Sequence, residues 1–94
     1  MFPTTRYATA QICEKVPPLL QAFMWMCIDS LEGEADYLQV FELSEEQGLQ
    51  KIVHMQEVPE YLQAYLIAST NPLSDKILVI NDDEYATMLF AREY

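Results

Sequence analysis

Residues 35–58 read ADYLQVFELSEEQGLQKIVHMQEV, and this stretch decides the fold. In its first half Tyr37, Gln39, Phe41 and Leu43 share one side of an extended chain, and Leu38, Val40 and Glu42 share the other. Period-two alternation of aromatic and β-branched residues is the signature of a strand. SEEQG then reads as a turn, and LQKIVHMQEV as a second strand. The two form a hairpin with a short acidic connection.

Upstream, VPPLLQAFMWMCIDSLEGE reads as a helix from about Pro18 to Glu32. Proline is tolerated in the first turn, where its missing N–H would be unpaired anyway. Leu, Gln, Ala and Met favour helix, and Gly33 can supply a left-handed cap. Glu32 is the weak point, since a negative charge there opposes the helix dipole. Leu19–Ile28 contains only one polar residue, Gln21. This run is too short for a membrane span, which takes about 20 apolar residues, and Pro17, Pro18 and Asp29 bound it. At about 100° per residue, Val16, Leu20, Phe23, Met24, Cys27, Ile28 and Leu31 form one apolar side for packing on a sheet. Gln21, Asp29 and Glu32 point away. Trp25 falls on that outward side, with Leu19 and Met26 on one flank.

RYATAQIC, before the helix, alternates weakly and reads as a strand with small side chains. Downstream, PEYLQAYLIAS is ambiguous: a turn through Pro59 to Leu62 and a strand from about Gln63 to Ser69, or a short helix over residues 59–69. DKILVIND carries four consecutive apolar residues, Ile77 to Ile80, and YATMLFAREY is a further strand. NDDE joins them without a central glycine, which suits a four-residue connection built on a type I turn. The expectation is one α+β domain over residues 1–94. It is a five-stranded, predominantly antiparallel sheet with one long α-helix packed on one face.

The chain has 15 acidic and 5 basic residues, for a formal net charge of -10. Nucleic-acid backbones and anionic membranes both favour Lys and Arg, so direct nucleic-acid binding and membrane association are disfavoured; the charge permits a basic partner, or merely keeps the protein soluble. Cys13 and Cys27 make no disulfide framework and no basic region precedes an apolar leader, which points to the cytoplasm. Both thiols read as small buried hydrophobes.

Chemical motifs are sparse. His54 lies in KIVHMQ, on the face of Ile52 and Gln56, with no spaced triad around it. NDDE, Asn81 to Glu84, is too short for an EF-hand loop. The carboxylates of DSLEGEAD and ELSEEQ gather at element ends, as solvated charges do. The only glycines, Gly33 and Gly48, form no phosphate loop, and the cysteines lack metal-ligand spacing. No catalytic residue, cofactor or metal is expected. The leading reading is a non-enzymatic protein-interaction or regulatory domain, with a protein partner or a homodimer. An acidic inhibitor that imitates nucleic acid and a small enzyme with a distributed site are the alternatives. Trp25, with Leu19 and Met26, is the first contact candidate, because tryptophan is common in interaction hot spots. The competing reading is that a loop or chain terminus covers it, or that it lies partly exposed. Tyr61 and Tyr65 are the second contact candidate.

The segments MFPTTRY, LQAFMW, DYLQVFEL, QKIVHMQEVPEY and KILVIND…TMLFAREY, in this order, resemble a family of small uncharacterised bacterial domains from low-GC Gram-positive organisms. The resemblance implies a compact cytoplasmic α+β domain and assigns no activity, cofactor or residue role.

Overall fold

The computed structural model describes residues 2–94. Six strands form one sheet in the order β1-β6-β5-β2-β3-β4. Their ranges are β1 Arg6–Ala8, β2 Leu38–Glu46, β3 Leu49–Gln56, β4 Tyr61–Ile67, β5 Asp75–Asn81 and β6 Ala86–Phe90. Neighbours from β6 to β4 are antiparallel, and β1 pairs parallel to β6. Two helices, α1 Ala10–Lys15 and α2 Pro18–Asp29, fall between β1 and β2. The α+β class therefore holds, while the five-stranded sheet with one long helix is corrected, among the described residues, to a six-stranded mixed sheet with two short α-helices and a closing 3-10 turn at Ala91–Glu93.

Each correction has a local cause. RYATAQIC is extended only to Ala8. Thr9 then caps α1, its Oγ1 accepting from the Ile12 N–H at 3.3 Å, so the small-residue alternation of Ala8, Ala10 and Ile12 is cut by a capping residue. The second helix stops at Asp29, and Glu32 falls beyond it. Gly33, at φ +87°, sits in the bend that follows. Residues 59–69 contain a strand that begins at Tyr61, two residues earlier than expected, after a turn over Glu57–Glu60. The β2–β3 hairpin is tight. Gln47 and Gly48 are its two loop residues, both at positive φ (52° and 78°), as a type I′ turn requires. Between β5 and β6 the connection is four residues long, and Asp83 adopts φ 71° while its N–H donates to Asn81 Oδ1 at 2.7 Å.

The core lies between the helices and one face of the sheet. Leu20, Met24, Cys27 and Ile28, spaced i, i+4, i+7, i+8, are the buried residues of α2. They join Ile12, Val16, Phe41, Ile52, Ile77, Val79, Met88 and Phe90 in one buried cluster. Phe23 is half-buried against this cluster, so the predicted helix face is observed for Leu20, Phe23, Met24, Cys27 and Ile28, while Val16 and Leu31 lie outside α2 and Trp25, expected to point away, also packs on the cluster. Gln21 departs from that phase analysis, because its amide donates to the Val16 carbonyl at 2.9 Å and ties α2 to the end of α1. Among the described residues no helix is long and apolar enough to cross a membrane.

Candidate interaction surface

Both helices cover the same face of the sheet. Among the described residues no helix packs on the opposite face, and the strand registers assemble it row by row. Leu89 lies beside Leu78, Leu78 beside Val40, Val40 beside Met55, and Met55 beside Leu62. This is an unbroken apolar row across five strands, about 19 Å wide at the usual strand spacing. A second row runs Tyr7, Thr87, Ile80, Leu38. Charge enters from the third row onward, where Lys76 lies beside Glu42, followed by Val53 and Ala64, and continues at Lys51 between Ser44 and Leu66 in the fourth. Leu78 is itself buried, yet stands apart from the core cluster on the other side of the sheet. Toward the β4 edge exposure rises, with Leu62 65% and Leu66 48% accessible.

A depression of about 800 Å³ opens at one end of this face. It is lined by Leu38, Val40, Met55 and Leu62 of the open face, by Tyr61, and by the charged residues Asp36, Glu57, Glu60 and Lys76. Strand direction explains the acidic lining. The connection 30–37 precedes β2, while 57–60 and 82–85 follow its antiparallel neighbours β3 and β5, so all three lie at the same end of the sheet. Together they carry Glu32, Glu34, Asp36, Glu57, Glu60, Asp82, Asp83 and Glu84, with no Lys or Arg. The opposite-end connections 47–48 and 68–74 carry no charge. The excess negative charge of the chain is therefore concentrated at one end of the sheet.

A buried polar seam supports that end from the helix-covered side. His54 Nε2 meets Gln39 Oε1 at 2.6 Å. The Gln39 amide donates to the Asp36 carbonyl at 2.9 Å and to Gln56 Oε1 at 2.7 Å, so its oxygen is left to accept, and the bonding network assigns the proton to His54 Nε2. Gln56 in turn donates to the carbonyls of Pro59 and Glu34 and accepts from the Asp36 N–H. The Val58–Pro59 peptide in this turn is cis. The His54 ring stacks on Phe41 at 4.5 Å and meets Tyr61 edge-on at 5.3 Å. Burial lowers the His54 pKa to about 4, which keeps the ring neutral. No group of metal-ligating side chains gathers among the described residues.

The sequence-predicted contact residues separate. Trp25 is half-buried against the core, and Arg6 of β1 lies 4.7 Å over its ring. Arg6 also grips Asp29 through two bonds of 2.9 and 2.5 Å, and this holds the Asp29 carboxyl below its usual pKa. Leu19 (86% exposed) and Met26 (53%) stand free on α2. Tyr65 lies beneath α2, edge-on to Phe23 at 5.2 Å, with its phenol pushed up by burial and then by Tyr61 and Cys27. Burial likewise raises the Cys27 thiol. Only Tyr61 reaches the depression. The open-face residues Leu38, Val40, Met55, Leu62 and Leu78 are not singled out by the helix-centred reading. Their signal is present in the sequence nonetheless, since YLQVF and KILVI are apolar on both sides, a pattern of strands covered on both faces.

These features define an α+β domain with one helix-covered sheet face and one open apolar face. A family profile described as "Staphylococcal protein of unknown function (DUF960)" matches residues 5–93, and the chain belongs to that family. The resemblance to uncharacterised domains of low-GC Gram-positive bacteria thus holds. A crystal structure of a protein of unknown function from Enterococcus faecalis has the same fold. Its TM-score is 0.82 at 24% identity, over 96% of this chain and 90% of that one. No curated protein matches the sequence.

Proposed function

We propose that the protein is a non-enzymatic interaction domain that docks a protein partner on its open sheet face, and that the partner is basic where it meets the acidic end. The observation that carries this reading is the apolar row from Leu89 to Leu62. Contiguous apolar surface of this kind, rimmed by charge, marks association sites in soluble proteins. The carboxylates around the depression favour Lys or Arg in the partner and speed its approach. Cys13 is exposed, against the expectation that both thiols are buried, and a free exposed thiol is in keeping with a reducing, cytoplasmic setting.

Met55→Lys tests the reading. The lysine stem can lie along the sheet with its ammonium in water, so the fold survives, as a melting curve will verify. In quantitative affinity capture from cell extract, this variant is expected to lose the partner of the unmodified protein by at least about tenfold, while Leu19→Ala and Met26→Ala retain it. Full retention by Met55→Lys sinks the proposal. Loss with the α2 variants instead would move the docking site to the helix.

A further inference from the structure

The β4 edge carries an inference independent of the open-face reading. Strand β4, YLQAYLI, pairs with β3 on one side, and its other side is the edge of the sheet. Exposed edges are ordinarily blunted by charge, proline, a bulge or shortness, because a free row of N–H and C=O groups invites another strand. The other edge, β1, is only three residues long. By contrast β4 is seven residues long, without a charge, proline or glycine, and it pairs with β3 in unbroken register, so it has no bulge.

We propose that β4 pairs antiparallel with β4 of a second copy of this chain, on a two-fold axis perpendicular to the sheet that passes between Ala64 and the partner's Ala64. Such an axis keeps each face on its own side, so opposed residues must have the same parity and the central residue must lie opposite its own copy. Ala64 is the centre of Tyr61–Ile67 and gives the longest overlap. It sets Leu62 opposite the partner's Leu66 and Gln63 opposite the partner's Tyr65. The two exposed leucines, 65% and 48% accessible, thereby cover each other.

Charge distribution is compatible with a second copy in this orientation. Two chains of net charge -10 repel, and their contact costs least along an uncharged segment such as β4. Antiparallel pairing also places the acidic end of each copy beside the uncharged 68–74 end of the other. Acidic poles then lie roughly 20 Å apart along the strands, beyond the screening length of about 8 Å in physiological salt. Glu60 falls opposite the partner's Ala68. A parallel pairing would bring the poles together. In the dimer the open faces of both copies join on one side of a twelve-stranded sheet.

The test is the solution mass of the intact protein across concentration, by sedimentation equilibrium, with two paired variants. Both carry L66E, which sits beside Lys51 of β3. L62E/L66E opposes like charges at both symmetric positions and is expected to raise the dimer dissociation constant at least about tenfold. L62K/L66E opposes unlike charges in the same register and is expected to restore the dimer. A monomeric unmodified protein at about 100 μM, an undiminished L62E/L66E dimer, or a failure of L62K/L66E to recover would each overturn the proposal. Should a variant unfold, amide exchange on the unmodified protein decides the question. The outward amides of β4 are expected to be protected at high concentration and to exchange on dilution, and exchange independent of concentration would refute the pairing.

Discussion

His54 sits between Phe41 and Tyr61 with its Nε2 proton given to Gln39, and burial holds its pKa near 4. In the unfolded chain it titrates near 6.5. The folded pKa is the lower of the two, so the unfolded state binds more protons between these values. The neutral-ring contribution is complete above about pH 6.5 and is lost as pH falls through the window toward 4. It amounts to roughly 3 kcal/mol, and urea unfolding followed from pH 7 to 4 is expected to show that decline. His54→Phe should flatten the curve in this range while lowering stability at pH 7 by about 1–3 kcal/mol, because Gln39 Oε1 is left buried without its donor. At Trp25 the expected effect is optical as well as energetic. Arg6→Ala uncovers the indole, so its emission shifts to the red, with a stability loss of about 1 kcal/mol from the lost cation–π contact. The placement of His54 with Ile52 and Gln56 was legible from strand alternation. Its partner Gln39 was not, because that bond joins residues on different strands, and local periodicity carries no pairing register.

The β2–β3 hairpin turns on Gln47 and Gly48, both in the left-handed region. A Cβ at Gly48 would meet nothing within 4 Å, so Gly48→Ala tests backbone strain alone and is expected to cost about 1 kcal/mol. Gln47→Asn is expected to stabilise by a few tenths of a kcal/mol, since asparagine suits this turn position better. Chemical denaturation of both variants checks the pair. A larger anchor acts on the 68–74 connection, where buried Gln50 accepts from the Leu73 N–H at 2.7 Å and donates to the Leu73 carbonyl at 3.0 Å. Helix and strand existence followed from periodicity in most of the chain. RYATAQIC misled because alternating small residues fit a strand as well as a capped turn of helix, and Thr9 decided between them. β4 stayed ambiguous because YLQAYLI has the composition of either state, and pairing along β3 settles it as a strand.

At the scale of the molecule, charge and apolar surface are segregated. The acidic connections crowd one end, the two rows of the open face nearest that end are uncharged, and the free β4 edge is uncharged. Salt should therefore separate the two proposed contacts. Docking of a basic partner at the acidic end is expected to weaken several-fold between 50 and 300 mM salt, a range that roughly halves the screening length. The β4 dimer, with its acidic poles apart, should change little over the same range. Binding and sedimentation measurements at several salt concentrations read both trends.

By itself the sequence determined the α+β class, the β2–β3 hairpin, the buried stripe of α2 and the acidic character of the chain, because each is written in local spacing or composition. It also carried, in KILVI and YLQVF, the two-sided apolar strands from which the open face is built. Tertiary structure alone decided which face α2 covers, that β1 joins β6 in parallel, that Arg6 lies over Trp25, and that three distant acidic loops share one end. Those outcomes depend on strand order and direction, which arise from contacts between residues far apart in the chain.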